Sequence, residues 1–576
     1  MVFKAKSMIL AKSIFILSCF MCTQVYGAET NGAQQNAEQL QGYIQQQLEL
    51  EKNRVLKETQ NWRGGHILEG GEPQRKRKNN DANCRIIKSL LVEGSNVISV
   101  HSLVAQYEGR CLNSGDIEDI LSAITREYVS RGFITTRVYL PQQSLVNGML
   151  TIQVLEGKIE KYHIDESKTP AGNVNLYTTF PSSPGDVLNL RDIEQGIDQI
   201  NALPSNSATM QIIPGEGEGQ SVVSVANVPS SSWRVGVSYD NTGQKATGQD
   251  QHGANLETDN PLGLGDKLRL SYQTADPARR EIAYSDVFSI NYTWPLGYST
   301  FSVGYLETSY RQLQVLPSGN KYSAKGSSES SYGSISRLLY RDQLSKLNLS
   351  TTLTQKSSEN FFADQPLRAT SPDLSVWDVD ISAMRLLPNL GMFNLGFGIT
   401  QGTALFGATH NSNELGSPQA QYQKNRQSLF FNLSYAATSY TLTWDSQTLA
   451  QQSKDILYGS EQMSVTGPNA VRGFTTNFLS GNSAFYSRNN FSVGRPVSMN
   501  GLNASAKAYV GIDFGSVSPT NITSGRTGQV SGVTIGTQFG FGNASLDVSY
   551  SKPMHTLRWM VPEQGVAYVR LKYSFN

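Results

Sequence analysis

The segment Trp233-Arg-Val-Gly-Val-Ser-Tyr-Asp240 opens the part of the chain whose reading decides the fold. Its large apolar side chains, Trp233, Val235, Val237 and Tyr239, occupy every second position, with Arg234, Gly236, Ser238 and Asp240 between them. A period of two sends successive side chains to opposite faces of a strand, so one face is greasy and the other polar. The pattern returns at Phe288, Ile290, Tyr292 and Trp294, and again at Ala567, Val569, Leu571, Tyr573 and Phe575. Alternation by itself fits a soluble sandwich as well as a membrane barrel.

The connections separate the two. Strands are predicted at 232–240, 250–258, 265–274, 283–293, 298–308, 329–340, 346–358, 374–385, 392–402, 426–437, 438–449, 484–494, 504–515, 528–540, 543–552 and 567–575. Long connections, 309–328, 359–373, 403–425, 450–483 and 553–566, follow odd strands, whereas those after even strands are short, such as 259–264, 341–345 and 541–542. An even number of antiparallel strands with long and short connections in alternation predicts a 16-stranded outer-membrane β-barrel over residues 232–576, its short turns and both ends on the periplasmic side. After the first 27 residues no apolar run reaches the ~20 residues that a membrane-spanning helix needs.

The longest connection, 450–483, contains Gly467-Pro-Asn-Ala-Val471-Arg472-Gly473-Phe474. A loop of this length has room to fold into a barrel lumen, where an arginine would need a carboxylate. The thirteenth strand offers one in Tyr509-Val-Gly511-Ile-Asp513-Phe-Gly515. Parity groups Asp513 with Tyr509 and Gly511 and leaves its direction open. The glycines of this strand suggest a bulge or a close backbone approach.

Toward the N-terminus, residues 158–228 and 83–157 each carry the pattern β-α-α-β-β, two small α+β domains in tandem. In the first, strands are predicted at 85–92, 133–140 and 149–155, a short helix near 100–107, and a longer helix that Ser114 can cap and Arg131-Gly132 ends. In the second, Leu190, Ile193, Ile197 and Ile200 form a helical stripe with Asn189 as its cap. Residues 60–82 read as a linker, with Gly64, Gly65, Gly70, Gly71 and Pro73 ahead of Arg75-Lys-Arg-Lys78. Residues 28–59 hold a polar helix without a broad apolar face, suited to a wet environment. Residues 1–27, with Lys4, Lys6, Lys12 and a short apolar run, form a secretory signal peptide. Cys19 and Cys22 leave with it, and the remaining pair in an exported chain, Cys84 and Cys111, is expected to form a disulfide.

Composition narrows the function. Forty-eight basic and 47 acidic residues give a net charge of +1, which disfavours nucleic acid as a partner. The six histidines, His66, His101, His163, His252, His410 and His555, form no pair at ligand spacing. No phosphate-binding glycine loop or nucleophile elbow stands out, so no enzyme, cofactor or metal is expected.

The tetrapeptide Val471-Arg472-Gly473-Phe474, placed between the eleventh and twelfth strands of such a barrel, resembles the inward-folded loop of two-partner secretion transporters. The tandem domains resemble the polypeptide-transport-associated (POTRA) domains that precede the barrel in the same family. The resemblance implies that residues 28–59 plug the lumen and that Arg472 meets Asp513 on the inner wall, locking the loop. It implies location in the bacterial outer membrane, with the N-terminal domains in the periplasm. The implied partners are a large secreted exoprotein (adhesin, haemolysin or contact-dependent toxin), outer-membrane lipid, and the barrel-assembly machinery during biogenesis. Two other readings are a barrel-assembly insertase, which usually carries more periplasmic repeats, and a small-solute diffusion porin, which needs neither the tandem domains nor the helix.

Overall fold

A computed structural model describes residues 84–167, 174–275, 280–315, 320–499, 502–519 and 526–575. The expected signal peptide (1–27), plug helix (28–59) and linker (60–82) lie outside these residues.

The first small domain begins with β1 (Arg85–Ile86) and β2 (Ser89–Glu93), continues through α1 (His101–Val104) and β3 (Cys111–Leu112) to the long helix α2 (Ser114–Ser130), and ends with β4 (Arg137–Tyr139) and β5 (Met149–Leu155). Ile120, Ile124 and Tyr128 recur at helical spacing on α2 and are buried against Leu150, Ile152 and Val154 of β5. The helix is capped one residue earlier than Ser114: Asn113 accepts from Asp116 N, and Asp116 returns the bond to Asn113 N. This reciprocal pair satisfies two helix-end donors that a serine one position later cannot reach. Gly132, at φ +95°, turns the chain out of the helix.

Two predicted strands are shorter than their sequence suggests. The stretch 85–92 divides, its first half pairing with β3 and its second running parallel to β5. The stretch 133–140 begins as a turn closed by Thr136 N to Phe133 O, and only Arg137–Tyr139 pairs.

The second domain consists of β6 (Lys158–Ile164), α3 (Leu176–Thr179), α4 (Leu190–Asn201), β7 (Ala208–Pro214) and β8 (Gln220–Asn227), with β8 between its two neighbours. Asn189 caps α4 through Arg191 N, and its amide also donates to Arg131 O at the end of the first domain. Leu190 N to Gly132 O and Leu188 N to Gly157 O continue this joint.

Sixteen strands then close a barrel. They are β9 (Trp233–Asp240), β10 (Gln251–Asp259), β11 (Lys267–Ala275), β12 (Tyr284–Leu296), β13 (Ser299–Val315), β14 (Lys321–Arg341) and β15 (Ser345–Phe362), followed, beyond a two-residue β16 (Gln365–Pro366), by β17 (Asp373–Leu387), β18 (Gly391–Thr403), β19 (Gln423–Ala436) and β20 (Thr441–Ser453). After the long loop, which contains β21 (Met463–Ser464) and β22 (Ser480–Gly481), come β23 (Ala484–Met499), β24 (Leu502–Val517), β25 (Gly528–Phe541), β26 (Ala544–His555) and β27 (Val566–Phe575). The wall closes antiparallel, with Phe575 opposite Val235 and Arg570 opposite Asp240. A closed wall pairs every strand, which a lipid-facing sheet requires.

The expected external connection at 309–328 is a correction. It is strand on both sides, since β13 runs on to Val315 and β14 starts at Lys321. Twenty-one residues in β14 extend ~70 Å, far beyond an apolar band about 25 Å tall, so this hairpin projects from the membrane. Tyr310 and Phe362 are buried there, and the Tyr310 hydroxyl donates to Asn360 Oδ1 at 2.9 Å.

Candidate functional site

The connection from β20 to β23 packs against the inner wall. Its short sheet β21–β22, the bond from Val471 N to Val465 O (3.0 Å) and that from Gly467 N to Val471 O (3.0 Å) fold it on itself. Val465, Ala470, Val471, Phe474 and Leu479 are buried with Tyr486, Val517 and Val530 of the wall. A loop this apolar on one side gains burial by leaving bulk water, and ~25 cal/mol per Å² of apolar area favours the docked position.

Arg472 points from the loop to β24. Its Nε donates to Asp513 Oδ2 at 2.6 Å and its Nη2 to Asp513 Oδ1 at 2.7 Å, a bidentate fork, while the Arg472 backbone N donates to Oδ2 at 3.1 Å. Arg472 is 3% exposed and Asp513 0%. The parity left open above resolves inward: Tyr509, Gly511, Asp513 and Gly515 face the lumen, and Val510, Ile512 and Phe514 are exposed on the outer face.

The glycines make room. A Cβ on Gly511 would lie 2.1 Å from Arg472 Nη2, and one on Gly532 would lie 2.2 Å from Arg472 O. Gly473, at φ +102°, brings its Cα against the Lys552–Pro553 peptide, where a Cβ would sit 2.7 Å from Lys552 C. These positions mark close backbone approach to the loop, and the β23–β24 and β24–β25 ladders stay in register past Asp513 without a bulge there.

Three further contacts hold the loop and carry no sequence signal of their own. Glu563, in the last external connection, accepts from the backbone N of Thr475 (2.7 Å), Thr476 (3.2 Å) and Asn477 (3.0 Å). Arg488, across the ladder from Asp513, donates to Pro468 O at 3.2 Å. Glu461, earlier in the loop, meets Lys356 of β15 and Lys424 of β19.

At the periplasmic mouth the second domain is bound to the barrel. Arg341 reaches Asp198 (2.6 Å) and Glu194 (3.3 Å), Lys346 reaches Asp198 (2.8 Å), and the Tyr298 hydroxyl donates to Asp192. Asp259 of β10 joins Arg234 (2.5 Å) to Ser205 N (2.8 Å). At the far end of the first domain Cys84 and Cys111 are bonded, their Cα atoms 5.3 Å apart. Among the described residues no cluster of metal-ligating side chains is present.

The chain resembles known proteins in sequence and in fold. Residues 219–539 match the family described as "Haemolysin secretion/activation protein ShlB/FhaC/HecB", residues 86–157 match the ShlB-type POTRA domain, and residues 158–214 match a POTRA domain. The chain is 31% identical to the hemolysin transporter protein ShlB of Serratia marcescens over 502 residues, covering 86% of each chain. It is 29% identical to the outer membrane transporter CdiB of Dickeya dadantii over 480 residues, covering 82% of this chain and 83% of that one. The structure of CdiB from Escherichia coli superimposes with a TM-score of 0.83 at 27% identity, covering 94% of this chain and 99% of that one. The chain thus belongs to the ShlB/FhaC/HecB haemolysin secretion/activation family, and is an outer-membrane transporter of the two-partner secretion type.

Proposed function

We propose that this transporter receives a large unfolded exoprotein, an adhesin, haemolysin or contact-dependent toxin, at its two periplasmic domains. The exoprotein then passes through the barrel lumen to the cell surface, with no chemical step. The buried fork between Arg472 and Asp513 carries this reading. It holds a loop at a set place inside the lumen, so export depends on a loop that is docked correctly at rest and able to shift when a chain arrives. A polar lumen suits a moving extended chain, whose amides need partners throughout the passage. Strand edges in the small sheets, β4 in the first and β7 in the second, can accept an extended segment as an added strand. On this reading residues 28–59 occupy the lumen at rest and leave during export. The outer wall faces lipid, and the barrel-assembly machinery inserts the chain.

The test is secretion. Arg472→Ala and Asp513→Ala should each lower export of a co-expressed cognate exoprotein by about tenfold, with the barrel still heat-modifiable on gels. The double variant should be little worse than either single one, because one pair is lost in all three. Normal export by Arg472→Ala sinks the reading.

A further inference from the structure

We propose that Glu461 is a second, independent ionic lock on the lumen loop, acting on a different part of the wall from Arg472; the proposal rests on the reading that the docked loop controls the pore. Glu461 is 2% exposed. Its Oε1 accepts from Lys356 Nζ at 2.6 Å, and its Oε2 from Lys424 Nζ at 3.0 Å and from the Tyr422 hydroxyl at 2.6 Å. The Glu461 carbonyl accepts from Lys424 Nζ and Gln451 Nε2, both at 3.0 Å, so main chain and side chain are held together. Lys356 belongs to β15 and Lys424 to β19, whereas Asp513 belongs to β24, with β20 and β23 between β19 and β24 around the wall. The loop is therefore tied at two places on the barrel circumference.

Charge balance separates this contact from ordinary packing. Beside the two lysines the wall carries Arg426, which bonds Asp378 (2.7 Å) and Asp380 (2.9 Å). Among the described residues these wall groups amount to three cations and two anions, and the loop carboxylate supplies a third anion. With the loop displaced, Lys356 and Lys424 both lose the carboxylate they bond, and a buried cation in that condition is costly. The docked loop is accordingly favoured by charge here and by a different charge pair at Asp513. Two anchors in parallel mean that releasing one leaves the loop largely in place, so export must disturb both.

Glu461→Gln keeps the shape and the bond from Tyr422 but removes the charge. The full-length transporter is reconstituted in liposomes with a nitroxide at Asn469→Cys, at the loop tip, and the ratio of mobile to immobile spin populations is read. Glu461→Gln and Arg472→Ala should each raise that ratio about tenfold, and the combination about a hundredfold, since independent anchors multiply. If Glu461→Gln fails to assemble, the double variant E461Q/K356Q carries the same test, because it removes one cation together with the anion and should free the loop equally. A ratio unchanged in Glu461→Gln, or a combination no more mobile than Arg472→Ala alone, overturns the second lock. Secretion of a co-expressed cognate exoprotein is measured on the same variants. A freed loop with unaltered secretion overturns the gating role of the loop and leaves the lock standing.

Discussion

At Arg472 the decisive quantity is burial. A surface ion pair is worth at most about 1 kcal/mol, but this one is 3% exposed on one side and 0% on the other. Removing one partner of such a pair strands a charge, an effect of about 3–5 kcal/mol in a dry interior. A loop free to swing into a wet lumen relieves part of that, and a tenfold change in its docked population corresponds to about 1.4 kcal/mol. Gly511 gives an independent handle on the same contact. Gly511→Ala puts a methyl 2.1 Å from Arg472 Nη2, so the guanidinium must leave its fork although both charged residues remain. Export by Gly511→Ala should therefore fall as far as in Arg472→Ala, and undiminished export would show that the fork geometry is dispensable. The sequence made Val471-Arg472-Gly473-Phe474 conspicuous, and it named Asp513 only through the family resemblance. Glycine at 511, 515 and 532 was the physical trace of the docked loop, but a missing Cβ does not say what approaches it.

At the scale of elements, most of the barrel could be read because lipid on one side and polar lumen on the other impose a period of two. Where that constraint ends, legibility ends too. The outer parts of β13 and β14, 309–315 and 321–328, are beyond the membrane and mix serine, lysine, arginine and glutamine with isolated apolar residues, so they carried no continuous greasy stripe and resembled a loop. Charges at matching parity, Lys424 with Arg426 and Asp378 with Asp380, did mark lumen-facing positions, but their meeting with Glu461 depends on register between strands remote in sequence. In the first small domain the helix was plain, while its cap fell on Asn113, because only there do the Asn113 and Asp116 side chains satisfy each other's backbone N–H.

Two tests belong to that domain. The disulfide closes a sequence separation of 27 and is expected to contribute ~3 kcal/mol. Unreduced mature protein should show no free thiol, and Cys111→Ala should lower protection of β1 and β3 in hydrogen exchange; two reactive thiols in the unreduced protein would reject the bridge. Glu156 supplies a pH dependence. Burial alone would raise its pKa, but donation from Val97 N, the Tyr128 hydroxyl and Asn96 N holds its carboxyl below the usual glutamate value. A carboxylate lowered in the folded state stabilises above the ordinary glutamate range, and that contribution is lost as pH falls through the lowered value. Amide protection at residues 96 and 97 should thus hold down to the ordinary glutamate range and drop as pH falls below it through the lowered value, and the drop should shrink in Glu156→Gln. Equal drops in both proteins would remove Glu156 as the cause.

Over the whole molecule, charged contacts join the second periplasmic domain to the barrel and the barrel to its lumen loop. The second periplasmic domain rests on the barrel mouth through Asp192, Glu194 and Asp198 of α4, which meet Tyr298, Arg341 and Lys346 from the periplasmic ends of the wall strands. On the proposed reading, the domain that receives a chain is in this way fixed beside the entrance, and the loop that must yield is fixed further along the same lumen. The most direct measurement is to staple that loop. A Cβ at Gly515 would lie 3.1 Å from Val465 Cβ, close to the spacing a disulfide bridges, so cysteines at both positions should tie the loop to β24. Cells carrying the Val465→Cys, Gly515→Cys transporter and the exoprotein are assayed for secretion before and after a reductant, with the unmodified transporter under the same reductant as control. The account predicts that secretion is blocked while the staple is intact and returns on reduction; full secretion through a transporter whose staple is shown to be closed would contradict it.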